Sequence, residues 1–345
     1  MNAIAKEIVL RKAYLPGQKL ETIYFGGGTP SLLDERELNQ LLETIYAQYD
    51  VVHDAEITLE ANPDDLNKEK LIQLSQSGIN RLSIGIQSFH APHLQFLNRI
   101  HSAVEGENCV KMAQDVGITN ISTDLIYAIP APDHRILESD ISKAVTLNVS
   151  HISAYCLTIE PQTAFGSWLK KKKIKPIDEE FAAQQFEILT RSLAVNGYEQ
   201  YEISNFARNE KYSKHNSSYW QQHPYLGVGP SAHSYNGESR EYNISNNAKY
   251  LSSIEQQIIP STYEKLSIAD RTNEYLLTGL RTKWGVKKTE LEKLSDGTFF
   301  VQSGSELQNI LKAGWIRFEN ETILLTETGK LFADKVASDL FVEDN

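Results

Sequence analysis

The chain is poor in cysteine: Cys109 and Cys156 are the only two in 345 residues. That excludes a disulfide framework. Long hydrophobic runs are also missing, and no stretch approaches the roughly 18 uninterrupted apolar residues that a membrane-spanning helix needs. The first ten residues contain Glu7 and no apolar core of useful length, so they do not read as a secretory signal, and a cytoplasmic location is the default expectation. Positive charge is scarce as well: 34 Lys and Arg stand against 45 Asp and Glu, a net charge of −11. Nucleic-acid binding calls for a clustered basic surface and is not expected here. The dense basic run Lys170 to Lys173 leads into Ile174-Lys175-Pro176 and reads as a solvated turn.

What is present is a regular alternation. β-rich runs stand at Thr22–Phe25, Glu56–Glu60, Arg81–Gln87, Ile121–Tyr127, His151–Leu157 and Gln200–Ser204. Amphipathic stretches lie between them, near residues 34–48, 65–77, 103–116, 134–147 and 178–196. Such spacing predicts βαβ units and a parallel sheet. The strands end in polar groups: Gly26 to Thr29, Glu60 with Asn62, Gln87 with Ser88, Asp124, and Tyr155 with Thr158. Polar ends on successive strands suit ligands gathered around a barrel rim better than a single crevice in an open sheet. The chain opens inside a helical pattern over residues 2–14 rather than in a strand.

After residue 205 the character changes. Residues 206–262 are rich in Asn, Ser, Tyr and Gly with little periodicity, long for a structureless connection and therefore expected to be functional. Helical patterns return at Arg271–Arg281, Lys288–Leu294 and Ser305–Lys312. Two short strands around Glu319-Asn320 and a closing helix over Glu327–Phe341 complete a winged-helix-like tail. The reading divides the chain into a barrel over 1–207, a connecting segment over 208–262 and a small mainly helical domain over 263–345.

The motifs together resemble a known family. Tyr24-Phe25-Gly26-Gly27-Gly28-Thr29-Pro30-Ser31, Leu59-Glu60-Ala61-Asn62-Pro63, Asn80 to Phe89, Leu97-Asn98-Arg99 and Asp124-Leu125-Ile126-Tyr127 resemble the radical-SAM coproporphyrinogen-oxidase-like proteins. His215-Asn216-Ser217-Ser218-Tyr219-Trp220 matches the HNxxYW signature of the HemW branch, the haem chaperones, and Tyr225 to Ser234 is similar to that branch as well. The family carries a CxxxCxxC motif whose thiolates hold a 4Fe-4S cluster, and this sequence has none. Cys109 and Cys156 read as small buried hydrophobes. The implied fold is α/β, an incomplete (β/α) radical-SAM barrel lacking its first strand, with a small helical C-terminal domain. A shortened gene model, missing a few dozen residues ahead of Met1, is the expectation that accounts for both gaps.

The resemblance also implies roles. S-adenosylmethionine would meet Gly27, Gly28 and Thr29 through its methionine end, Glu60 through its ammonium or ribose, and Gln87 and Arg99 through its carboxylate and ribose. Asp124 would take ribose hydroxyls, since burying an unpaired carboxylate in an apolar strand is costly. Tyr155 and His233 would lie near the adenine. The segment Ala128 to Asp133 departs from the glycine-bearing pattern usual after this strand. Haem would take His215 as an axial iron ligand, with Tyr219 and Trp220 offering flat apolar surface and His223 as a rival ligand. The implied function is a haem chaperone that binds haem and passes it to an acceptor protein, with cluster and S-adenosylmethionine in the complete protein. Two alternatives stand beside it: an oxygen-independent coproporphyrinogen III oxidase, and a cluster-free paralogue that binds a tetrapyrrole or nucleoside.

Overall fold

A computed structural model describes residues 1–344. Strands β1 (Leu20–Phe25), β2 (Val51–Ala61), β3 (Arg81–Gln87), β4 (Asn120–Tyr127), β5 (His151–Cys156), β6 (Glu199–Glu202) and β7 (Asn205–Ala207) make one sheet in the order β1-β2-β3-β4-β5-β7-β6. Neighbours from β2 through β5 run parallel, while β7 and β6 are antiparallel. This is the incomplete (β/α) barrel that the alternation predicts, with β1 at one end of the strand order. The expected strand over Gln200–Ser204 is β6, which ends at Glu202; Ile203 and Ser204 form the turn into β7.

The chain divides into two compact units that interleave along the sequence, a division unlike the consecutive segments read from composition. One unit comprises Tyr24–Leu32 and Ile57–Tyr212. Its strands are apolar on one face, where the register brings Leu59, Leu82, Ile84, Ile86, Ile121 and Ile152 together, all fully buried, while the opposite face carries Arg81, Ser83, Ser122, Asp124, His151 and Ser153. Ser102 starts the helix Ala103–Asp115 with a reciprocal capping box to Glu105, which satisfies two otherwise orphaned amides. Lys170 to Lys173 are exposed, as read.

The other unit comprises Met1–Ile23, Leu33–Glu56 and the chain from Ser213 onward. Residues 206–262 are far more ordered than their composition suggests. They hold the helices Lys214–Trp220 and Asn247–Glu255 and the antiparallel strands β8 (His233–Tyr235), β9 (Ser239–Asn243) and β10 (Ser261–Lys265). The sequence hid these strands because their inward residues are polar: Ser234, Ser239 and Asn243 are buried, so no apolar alternation appears. The opening helix runs over Asn2–Leu10, shorter than the pattern over 2–14. It is tied to this sheet by Glu7, which is fully buried and accepts from the Gly229 amide (2.8 Å), Asn243 Nδ2 (2.7 Å) and Tyr250 OH (2.5 Å).

The tail carries a third sheet, β11 (Val286–Lys287), β12 (Ile316–Glu319) and β13 (Thr322–Leu325), in the order β11-β13-β12 beside short helices. Its closing helix is two pieces, Glu327–Lys330 and Ala333–Asp339, rather than one. A second correction concerns the cysteines. Cys109 is buried as read, but Cys156 is exposed, since it lies at the polar end of β5 where the strand leaves its covering.

Candidate functional site

The glycine loop follows β1 with Gly27 at φ +73° and Gly28 at φ +62°, a left-handed backbone that glycine adopts without strain. A Cβ on either would meet nothing within 4 Å, so the backbone there faces open space. Gly26 differs, because a Cβ would strike the Tyr24 ring at 2.5 Å. Glu60, near the end of β2, accepts from Tyr24 OH (2.6 Å) and from the Gly27 amide (3.2 Å). The carboxylate thus braces the loop from behind. Thr29 opens the next turn, its carbonyl accepting from the Leu32 amide at 3.1 Å.

Asp124 stands next in the same rim, with Ser83 Oγ 3.3 and 3.4 Å from its two carboxylate oxygens. Burial first, then the nearby Glu60 charge, pushes its pKa from 3.8 up to about 7. Burial, with Asp124 adding to it, also raises the phenol of Tyr155. Tyr24, Glu60, Asp124 and Tyr155 therefore share one electrostatic environment. Arg99 donates to Asn62 Oδ1 at 3.1 Å, two residues beyond Glu60. Gln87 closes β3 at φ +66° after a register shift between Ile84 and Gln87, a rare backbone for a residue with a side chain and a common mark of ligand clamps. Tyr24 and Ser83 belong to this rim and were not singled out from the sequence; strand alternation alone could not separate them from core positions.

His233 lies in β8 of the other unit, exposed and stacked on Tyr242 with ring centroids 5.7 Å apart. The departure at Ala128 has a local answer. This residue takes φ +62°, the region a glycine would favour, and its amide donates to the buried Gln185 Oε1 at 2.7 Å.

The second cluster is the helix Lys214–Trp220. Its N-cap Ser213 accepts from the Asn216 amide at 3.2 Å. Glu56, only 5% exposed, accepts from the amides of Lys214 (3.1 Å) and His215 (3.0 Å), which suits a carboxylate at the positive end of a helix. His215 Nδ1 and Thr22 Oγ1 share a hydrogen bond of 2.9 Å. The His215 ring meets Tyr219 edge to face at 4.9 Å, and Tyr219 meets Tyr225 at 4.5 Å. Tyr219 is 40% exposed, so this aromatic group offers a face to solvent. Trp220 lies under the Arg281 guanidinium at 5.3 Å. His223 is exposed one turn on, its amide bonded to the Ser218 carbonyl.

The two cysteines do not fit a 4Fe-4S cluster. Cys109 Sγ donates to the Gly106 carbonyl inside a helix, Cys156 is exposed on a strand, and the described residues contain no group of three or more His, Cys, Asp or Glu able to hold a metal ion. The rim around Gly27, Glu60 and Asp124 does fit a zwitterionic nucleoside, which needs backbone groups for its charged end and acceptors for its hydroxyls.

Comparison with known proteins follows this division. Residues 4–140 match the model of the Radical SAM superfamily. The chain is 35% identical to the heme chaperone HemW of Bacillus subtilis strain 168, over 97% of its own length and 89% of that protein. It is 33% identical to the heme chaperone HemW of Haemophilus influenzae, covering 95% of this chain and 84% of that one. The chain belongs to the HemW family. Among solved structures it is similar to coproporphyrinogen III oxidase (HemN) from Escherichia coli, with a TM-score of 0.83, 21% identity, and coverage of 99% of this chain and 82% of that chain. That likeness establishes the fold. HemW membership accounts for the glycine rim and the HNSSYW helix in one chain, and the radical-SAM superfamily implies S-adenosylmethionine and a 4Fe-4S cluster as its cofactors. Among the described residues no helix is long and apolar enough to cross a membrane.

Proposed function

We propose that this chain is a haem chaperone of the HemW type, holding haem as cargo on the HNSSYW helix and passing it to an acceptor protein. The observation that carries this reading is the His215–Tyr219 pair: an imidazole fixed through Nδ1, edge to face with a partly exposed aromatic ring. Imidazole is a common axial ligand of haem iron, and a flat ring covers a porphyrin face at little entropic cost. The relatives that carry the heme chaperone name, similar over almost the whole chain, support it further.

The rim of the sheet serves S-adenosylmethionine in the same reading. Gly27, Gly28 and Thr29 would face its methionine end, and Glu60, Gln87, Arg99 and Asp124 would orient its charged groups and ribose, with Tyr155 on the adenine side. When bound with a cluster, that group supplies radical chemistry, for which the two cysteines of this chain provide no ligand set. The residues present bind and orient.

Haem titration of His215→Ala beside the parent tests the cargo site. The variant should bind haem at least about tenfold more weakly, with a displaced Soret band. Equal affinity and an unmoved band would take His215 out of the site.

A further inference from the structure

His215 is braced by residues 193 and 159 positions away, one at a single ring nitrogen and the other at its amide. Thr22, in β1, meets Nδ1 at 2.9 Å, across 193 residues of sequence. Glu56, in β2, holds the backbone of the same residue through its amide at 3.0 Å and that of Lys214 at 3.1 Å. β1 and β2 are adjacent in the sheet. The imidazole is therefore fixed at its main chain by one strand and at its ring by the next, while Tyr219 meets the ring edge to face with centroids 4.9 Å apart.

We propose that Thr22 is a positioning residue for haem capture, accepting a hydrogen bond from His215 Nδ1–H and so presenting Nε2 to the iron. The inference rests on the haem-chaperone reading above and deepens it. The reason is chemical: a neutral imidazole ligates a metal through one nitrogen, and the hydrogen bond made by the other selects the tautomer and the ring orientation. Thr22 Oγ1 serves as acceptor, which keeps the proton on Nδ1 and the lone pair on Nε2. Glu56 sets where the ring starts, and Thr22 sets which way it points. Without the hydroxyl the ring turns about its side-chain torsions, and ligation must first order it.

The experiment compares the parent with Thr22→Val, Thr22→Ser and His215→Ala by hemin titration, reading affinity, Soret position and the electron paramagnetic resonance of the ferric complex. Thr22→Val should lose about tenfold or more in affinity, as outer partners of metal-bound histidines do, with an altered ligand-field spectrum. Thr22→Ser, which keeps the oxygen, should restore both. A Thr22→Val protein that titrates like the parent while His215→Ala loses the complex overturns the role of Thr22 and leaves the haem reading standing. If His215→Ala also binds like the parent, the haem site itself is elsewhere and both fall. Nitrogen-15 NMR of the haem-free chain gives an independent readout should Thr22→Val fail to fold. His215 should be protonated on Nδ1, and a proton on Nε2 instead overturns the proposal.

Discussion

Asp124 shows how much of a residue's chemistry its neighbours decide. Its place inside an apolar strand called for a binding role, and the structure surrounds it with Ser83 and the charge of Glu60. What the sequence could not carry is its proton, held up to a pKa of about 7 by burial and that neighbouring charge. Between 3.8 and about 7 the folded chain keeps a proton that the unfolded chain releases, so stability falls as pH rises through this window. Asp124→Asn should therefore melt higher than the parent at pH 8 by an amount on the order of 1–3 kcal/mol, with the gap closing at pH 5. A ligand that donates hydroxyls or brings positive charge favours the carboxylate, so affinity for S-adenosylmethionine should rise from pH 6 to pH 8. Calorimetric titration would check this, and pH-independent binding by the parent, matching Asp124→Asn, would remove Asp124 from the ligand's reach. Thr22 and Glu56, by contrast, were invisible. Nothing local marks a threonine or glutamate in a strand as the support of a histidine 193 or 159 residues away.

Elements follow the same division between local and distant signals. Apolar runs bounded by turns located β3 over Arg81–Gln87 without error and β4 within one residue. Amphipathic patterning near 34–48 and 103–116 located the helices Glu35–Gln48 and Ala103–Asp115 equally well. The strands β8, β9 and β10 escaped because the buried side chains of Ser234, Ser239 and Asn243 make hydrogen bonds rather than apolar contact. The opening helix depends on such a contact too. Glu7 is surrounded by the Gly229 amide, Asn243, Tyr250 and, at 3.6 Å, Arg11. Removing one member of a buried charged network strands the others, at a cost of about 3–5 kcal/mol. Glu7→Ala should lower the denaturant midpoint by a matching amount without changing the helical signature of the remainder. A loss within about 0.5 kcal/mol, the range of ordinary surface substitutions, would mean the network is not holding this helix.

For the molecule as a whole, the family was legible in its ordered motifs, and the absence of a cluster motif was legible in a count of cysteines. Anaerobic incubation of this chain with iron and sulfide should give no stoichiometric cluster absorbance, while hemin binding through His215 persists. A full complement of iron and sulfide per chain would show that other residues ligate it. The interleaved units were not legible, since they are defined by contacts such as Glu7 with Tyr250, across 243 residues.

That last contact orders events during synthesis. Glu7 is translated well before Gly229, Asn243 and Tyr250, which follow it by 222, 236 and 243 residues. Until then only Arg11, of the groups that surround the carboxylate, has been made, and the apolar stripe of its helix, including Ala5 and Ile8, waits with part of its covering still untranslated. The strands around Asp124 are complete earlier and can close first. The buried network around Glu7 is therefore complete only once the chain through Tyr250 has been made.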